Sequence, residues 1–249
     1  MADDRLIVEY GPLARHRSEI AQQQKTRRNR LLIAVPLGLI LVMAAAQVSL
    51  PLAMLVGIAS VLTVFFLALP GASSVDAGEL AGVEGEVAVL KQLQRLPDEF
   101  LVLNRVSLPD AALPNGKREL DFIVAGPTGL WIIEVKNTPG HLRVVPEERH
   151  WPLARRAGCG SNPSWNGFRS PVPQALAQVE ALKRWFLIHG QVVSARAAVV
   201  MAHAETAISD AELAPIPVLL RDQVAEVIRD ATPQALPHPV LDRLTRLRG

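Results

Sequence analysis

The chain has 249 residues, with 26 Lys and Arg against 24 Asp and Glu and a single cysteine. That length allows one sizeable domain or a smaller domain with attachments, and one cysteine excludes an internal disulfide framework and fits a reducing compartment. The net charge of +2 divides into +3 for residues 1–30 (seven basic, four acidic) and −1 for the rest (19 basic, 20 acidic), so the body is no general polyanion binder and would need a local basic patch.

The mean hydropathy of +0.22 comes from one region, because no charged residue occurs from Leu31 through Val75. Residues 1–30 form a polar segment ending in Lys25-Thr26-Arg27-Arg28-Asn29-Arg30, with at most a short, marginal helix. Because this basic cluster abuts apolar sequence, it reads as a cytoplasmic flank held by anionic headgroups rather than as a nucleic-acid arm. Leu31–Gln47 and Leu52–Leu69 each come near the roughly 17–20 apolar residues that span a bilayer. Ser49 and Pro51 supply a cap and a first-turn proline for the second. The expectation is a transmembrane helical hairpin over residues 31–70, packed through Ala53, Gly57 and Ser60, with both ends cytoplasmic. The rival is a signal peptide cut after Ala44-Ala45-Ala46. The polar lead is long for one, and a second apolar segment follows at once. A buried core hairpin fits less well, since apolar residues cover every face.

Residues 71–78 read as a linker of small residues. Glu79–Leu96 has Leu80, Val83, Val87, Leu90 and Leu93 at helical spacing, with Glu86 at its centre. Glu86 is either a solvated helix charge or a carboxylate that reaches a site. Phe100–Val106 reads as a strand, and Pro109–Lys117 as a polar loop. Two apolar runs follow, Leu120–Ala125 and Leu130–Val135, around Gly126-Pro127-Thr128-Gly129, which predicts a β-hairpin. If Ala125 pairs with Leu130, Asp121 falls opposite Glu134, and period-2 geometry puts Lys136 on the face of Glu134. Neighbouring buried carboxylates repel and raise at least one pKa unless a cation lies between them. Two oxygen ligands with open water positions suit Mg²⁺ or Mn²⁺, and a nearby lysine suits a phosphate. The plainer alternative is a solvated ion pair at two strand ends.

Gly140–Val145 could add a third strand. His141 and His150 are poor zinc candidates, lacking Cys/His spacing around them. Glu147–Pro173 reads as irregular. In it Trp151, Trp165, Arg155, Arg156 and Arg169 either bind a nucleic-acid strand by charge and stacking or pin a long loop to the core, and Cys159 is a bystander. Pro173–His189 is a helix with Val179, Leu182, Trp185 and Phe186 on its apolar face. Gln174 in its first turn can orient water or a phosphate. Ala197–Met201 and Val218–Leu220 read as strands, Arg221–Asp230 and Val240–Leu247 as helices. This order implies an α/β fold, a mixed sheet covered by helices.

Asp121, then Glu134-Val135-Lys136 on a following strand, resembles the PD-(D/E)xK nuclease superfamily. Gly82-Val83-Glu84-Gly85-Glu86, Glu119-Leu120-Asp121, Gly126-Pro127-Thr128-Gly129, Ile133-Glu134-Val135-Lys136-Asn137 and Gly140 together resemble the nuclease-related domain, NERD. Pro173-Gln174 is similar to its glutamine element, whereas Ser170 stands where the family favours asparagine. The resemblance covers roughly Gly82 to Met201. It implies a restriction-endonuclease-like mixed sheet flanked by helices over residues 79–205; the apolar stretches put two transmembrane helices ahead of it, and 206–249, which matches no motif, reads as a helical extension of the same domain. It further implies that Asp121, Glu134 and the Val135 carbonyl bind Mg²⁺ or Mn²⁺. Lys136, Glu86 and Gln174 would complete a catalytic site, with Arg155, Arg156 and Arg169 contacting a nucleic-acid backbone. The expected function is membrane-anchored phosphodiester hydrolysis on DNA or RNA, with the lipid bilayer as second partner. The alternative is a non-catalytic, membrane-tethered interaction module. A transport component fits poorly, because neither apolar helix carries a charge.

Overall fold

A computed structural model describes residues 10–68, 77–155 and 164–247. The chain divides into two compact units, residues 10–80 and residues 81 onward.

In the first unit α1 (Gly11–Ala46) is one helix of 36 residues, where the sequence suggested a short polar helix and a separate apolar one. The Ala, Arg, Gln and Lys of its first half are strong helix formers and give no stop signal before Leu31. A turn at residues 47–49 leads into α2 (Leu50–Ala68). Small residues let the two helices approach: a methyl group built on Gly38 would meet Ser60 Cβ at 3.2 Å, and one on Gly57 would meet Val42 at 3.9 Å. Ala45 and Ala53 are buried, while Leu32, Ile33, Met43, Val48, Leu50 and Met54 are 64–75% exposed. Among the described residues one helical segment, 20–46, with mean hydropathy 2.0, is long and apolar enough to cross a membrane, and Leu50–Phe66 is apolar but shorter. One candidate span therefore stands where two were expected.

The second unit begins within α3 (Ala77–Leu93) and holds β1 (Leu101–Pro109), β2 (Lys117–Gly126), β3 (Gly129–Lys136), β4 (Gly140–Arg143), β5 (His150–Arg155), β6 (Ser164–Arg169), α4 (Val172–Ile188), β7 (Ala195–Met201), β8 (Thr206–Ser209), β9 (Val218–Leu220), α5 (Val224–Arg229) and α6 (His238–Arg246). The main sheet has the order β1-β2-β3-β7-β9. Its β1–β2–β3 part is antiparallel and its β3–β7–β9 part parallel, so the sheet is mixed. Both faces are covered, which is why β3 reads as a continuous apolar run and is buried from Gly129 to Val135. Ala175, Val179, Leu182 and Phe186 of α4 join Leu120, Ile123, Leu130 and Ile132 in the core.

The β2–β3 hairpin has the expected register, Ala125 opposite Leu130, with Phe122 opposite Ile133 as its last ladder pair. Its turn needs Gly129, whose φ is +96°, a conformation open mainly to glycine. Two bonds from the C-terminal part hold the turn: Thr128 Oγ1 donates to the Ile228 carbonyl at 2.7 Å, and the Gln234 N–H donates to the Pro127 carbonyl at 2.9 Å.

Two expectations are corrected. β4 does not extend the hairpin but belongs to a second sheet of order β6-β5-β4-β8. Pro139 lacks a ladder donor, and Gly140 at φ +123° swings the chain out of the main sheet. Nor is the stretch 147–173 irregular, for it contains β5 and β6. Pro152 and Gly167 oppose each other across that pair. Both residue types count against a strand in a sequence, yet here they occupy matched places in one ladder. Cys159 and most of the 71–78 linker lie outside the described residues.

Candidate active site

The hairpin ladder stops at Phe122–Ile133 because Asp121 replaces a backbone partner. Its Oδ2 accepts the Val135 N–H at 2.8 Å. One step beyond that last pair, Asp121 stands across from Glu134, and directly opposed residues of an antiparallel pair share a face. A strand residue turns its N–H and C=O toward the same neighbouring strand. The Val135 carbonyl therefore faces the same gap as Asp121.

Glu134 is buried, 1% exposed, and both its oxygens are engaged. Lys136 Nζ donates to Oε1 at 2.6 Å, and Gln178 Nε2 donates to Oε2 at 2.6 Å. Lys136 Nζ also donates to Gln174 Oε1 at 3.1 Å, so the structure brings Gln174, Lys136 and Glu134 together. The sequence reading missed Gln178, which also donates to the Glu119 carbonyl at 3.2 Å. It lies one helical turn beyond Gln174, beside the apolar Val179, where a buried amide needs a partner.

Glu86 reaches the same end of the sheet because α3 packs unusually close to the residues that follow β3 and β7. A methyl group on Gly85 would lie 2.6 Å from Asn137 Cβ and 3.2 Å from Ala202 Cβ. Asn137 fixes the approach from the other side, donating through Nδ2 to the Ala81 carbonyl at 2.6 Å. Gly85 and Asn137 thus do positional work that the sequence motif displayed without explaining. Glu86 Oε2 is buried without a hydrogen-bond partner. Burial pushes the Glu86 carboxyl above its ordinary value, Arg105 opposes the rise, and Glu119 and Glu134 add to it.

Arg105 is a second residue the sequence did not flag. It adopts φ +50° within β1, a strained conformation for a side chain of its size. The flanking pairs are Asn104–Phe122 and Val106–Leu120, so Arg105, between them, stands across from Asp121. No period in the sequence announces such a kink.

The Asp121 carboxyl is pushed from 3.8 up to about 8. Burial contributes most and the Glu134 charge next, while the Val135 N–H lowers it. Opposed buried carboxylates with one ammonium group paired to only one of them favour a proton or a cation held there at neutral pH. Among the described residues no three His, Cys, Asp or Glu side chains form a group able to hold a metal ion. Any ion here would rest on two carboxylates and a backbone carbonyl.

The arginines do not gather at this site. Arg155 opposes Ser164 and Arg169 opposes His150, which puts them at opposite ends of the β5–β6 pair, and Arg156 lies outside the described residues. The two tryptophans divide between the two readings: Trp151 is fully buried in the core, whereas Trp165 is 63% exposed.

No curated protein matches this chain. Residues 81–202 match the family profile of the nuclease-related domain, NERD, a range that contains most of α3 and all of the hairpin, α4 and β7, with all the site residues above. From Ala81 to Ala202 the chain is therefore a nuclease-related domain.

Proposed function

We propose that the second unit is a divalent-metal-dependent nuclease of the PD-(D/E)xK, restriction-endonuclease-like kind, hydrolysing phosphodiester bonds of nucleic acid. The observation that carries this reading is the opposition of Asp121 and Glu134 across β2–β3, with the Lys136 ammonium 2.6 Å from Glu134. The family match supports it. The residues suit Mg²⁺ or Mn²⁺, because every available donor is an oxygen and Glu86 Oε2 is a buried acceptor with no partner. Asp121, Glu134 and the Val135 carbonyl would hold the ion, with Glu86 beside them. Such an ion stabilises developing charge and acidifies bound water. Lys136 donates to a nonbridging phosphate oxygen and orients the attacking water. Gln174 holds that ammonium group in place, and Gln178 fixes Glu134 from the far side.

The test is cleavage of single- and double-stranded DNA and RNA by the purified 249-residue chain with Mg²⁺ or Mn²⁺. Cutting lost in both Asp121→Asn and Lys136→Ala supports the enzyme. A wild-type chain that neither cuts nor binds metal overturns it. That result would favour a non-catalytic tethered module, a second reading for which the closed Lys136–Glu134–Gln178 hydrogen-bonded set speaks.

We propose further that residues 20–46 anchor the protein in a bilayer and that α2 makes a return crossing, leaving the N-terminus and nuclease domain cytoplasmic. The basic run before Leu31 and the exposed apolar surface of both helices support this. Protease treatment of intact cells is the check, and digestion of the domain from outside would reverse the orientation.

A further inference from the structure

We infer that the outward face of the second sheet is a docking platform for single-stranded nucleic acid, carrying the substrate strand past the acidic site. This rests on the nuclease reading above and adds the form of its substrate. The sheet's inner face is core: Leu142, Trp151 and Leu153 are buried, and Phe168 packs against them. Alternation therefore turns the other set outward. Across one row the register reads Ala207, His141, Ala154, Trp165. Farther along the sheet, Arg143 opposes Ser209, Pro152 opposes Gly167, and His150 opposes Arg169.

Two rings, His141 and Trp165, are thus separated by the small side chain of Ala154, with guanidinium groups and a second imidazole beyond them. Trp165 is 63% exposed, an unusual position for an indole with no functional partner. Flat aromatic faces beside cations are what unpaired bases and their phosphates require, and a duplex hides those bases. A concave region of about 700 Å³ opens at the end of this face, lined by Pro139, Gly140, His141, Ala154, Arg155 and Glu205, a size suited to a small ligand group such as a nucleobase.

The sheet is also strung between two site residues. The chain enters it through Asn137, Thr138 and Pro139 directly after Lys136 and leaves it at Arg169, five residues before Gln174. Five extended residues span at most about 17 Å, so His141 lies within that distance of Lys136. Charge complementarity favours nucleic acid over a protein partner. His141, Arg143, His150 and Arg169 share the outward face, Arg155 lines the concave region beside it together with Glu205, and Arg143 remains 63% exposed even while paired with Asp210.

The experiment is fluorescence anisotropy of the 249-residue chain with a labelled oligothymidylate of roughly 12 nucleotides, in EDTA so that no cutting occurs, beside a duplex of equal length. Wild-type protein is expected to prefer the single strand. Trp165→Ala should weaken that binding about tenfold, while Trp165→Phe, which keeps an aromatic face, should retain most of it. The paired Arg143→Glu, Arg169→Glu variant should weaken binding and flatten its salt dependence. Equal binding by wild type and Trp165→Ala, a preference for duplex, or no nucleic-acid binding at all overturns the inference. Failure of the nuclease reading looks different: Trp165-dependent binding would persist while no metal-dependent cutting appears. Conversely, cutting of single strands with unchanged KM in Trp165→Ala retains the nuclease and discards the platform.

Discussion

The acid-lined end of the main sheet and the outward face of the second sheet each hold an ion pair of similar length, in opposite surroundings. Lys136–Glu134 spans 2.6 Å with the acid 1% and the lysine 28% exposed. Arg143–Asp210 spans 2.9 Å with its side chains 63% and 36% exposed. Distance alone would rank them together; burial separates them. A partner removed from the first leaves a desolvated charge, whereas water replaces a partner lost from the second. The first arrangement stores electrostatic tension that a cation or a phosphate can relieve. The second offers adaptable contacts at little energetic risk. On the proposals above, chemistry and grip would fall to separate sheets of one domain.

The sharpest way to break this contrast is Asp121→Asn. The asparagine oxygen can still accept the Val135 N–H, and a neutral side chain removes the repulsion with Glu134. Metal-dependent cleavage should fall at least about 100-fold with no drop in thermal midpoint, and oligothymidylate binding in EDTA should stay unchanged. A destabilised variant would show that Asp121 is structural.

Next in size are two packing changes at the acidic end. Gln178→Ala strips the donor from Glu134 Oε2 and should cost about 1–3 kcal/mol by urea denaturation. Gly85→Ala must push α3 away from Asn137. Overpacking of about 1–3 kcal/mol, less roughly 1 kcal/mol of helix propensity gained, gives a net loss of about 0–2 kcal/mol. Glu86 moves with the helix, so metal affinity should fall as well.

A pH series sharpens the comparison further. Asp121 titrates at 3.8 when unfolded and about 8 when folded, so over that interval the native state binds more protons than the denatured state. Metal-free stability should therefore decline as pH rises between those values and level off above them. Mg²⁺ affinity should rise over the same interval, because the ion competes with that proton. Asp121→Asn should lose this part of both slopes, as calorimetry at several pH values would reveal. The smallest effect belongs to the outward face: Arg143→Ala should change stability by less than about 1 kcal/mol.

The hairpin was legible because its information is local. Gly126-Pro127-Thr128-Gly129 specifies a turn, two apolar runs of matching length specify strands, and the register then puts Asp121 across from Glu134 without further knowledge. The second sheet was not legible, because strands as short as Gly140–Arg143 and Thr206–Ser209 are held by partners distant in sequence. Pro152 and Gly167 hide a ladder that only their mutual pairing makes sensible. The site was legible in its charged members and dim in its supporting ones. Gln178 looks like any surface amide until Glu134 is seen beneath it. Arg105 is invisible without its backbone angle, and Gly85 tells of a close approach only once Asn137 is opposite. The separate apolar helix expected from Leu31 failed for a plainer reason: strong helix formers continue the polar segment into it without a stop.

The family profile ends at residue 202, but the cooperative unit does not. β9 closes the parallel edge of the main sheet, Val240 and Leu244 of α6 are buried in the core, and the Ile228 and Gln234 backbones clasp the Thr128 hydroxyl and the Pro127 carbonyl. A polypeptide cut at Ala202 would lose the latch on its central hairpin and bare a greasy flank. Evolutionary modules and folding modules are thus different lengths in this protein, and the tail that carries no recognised motif keeps the strands bearing Asp121 and Glu134 in step.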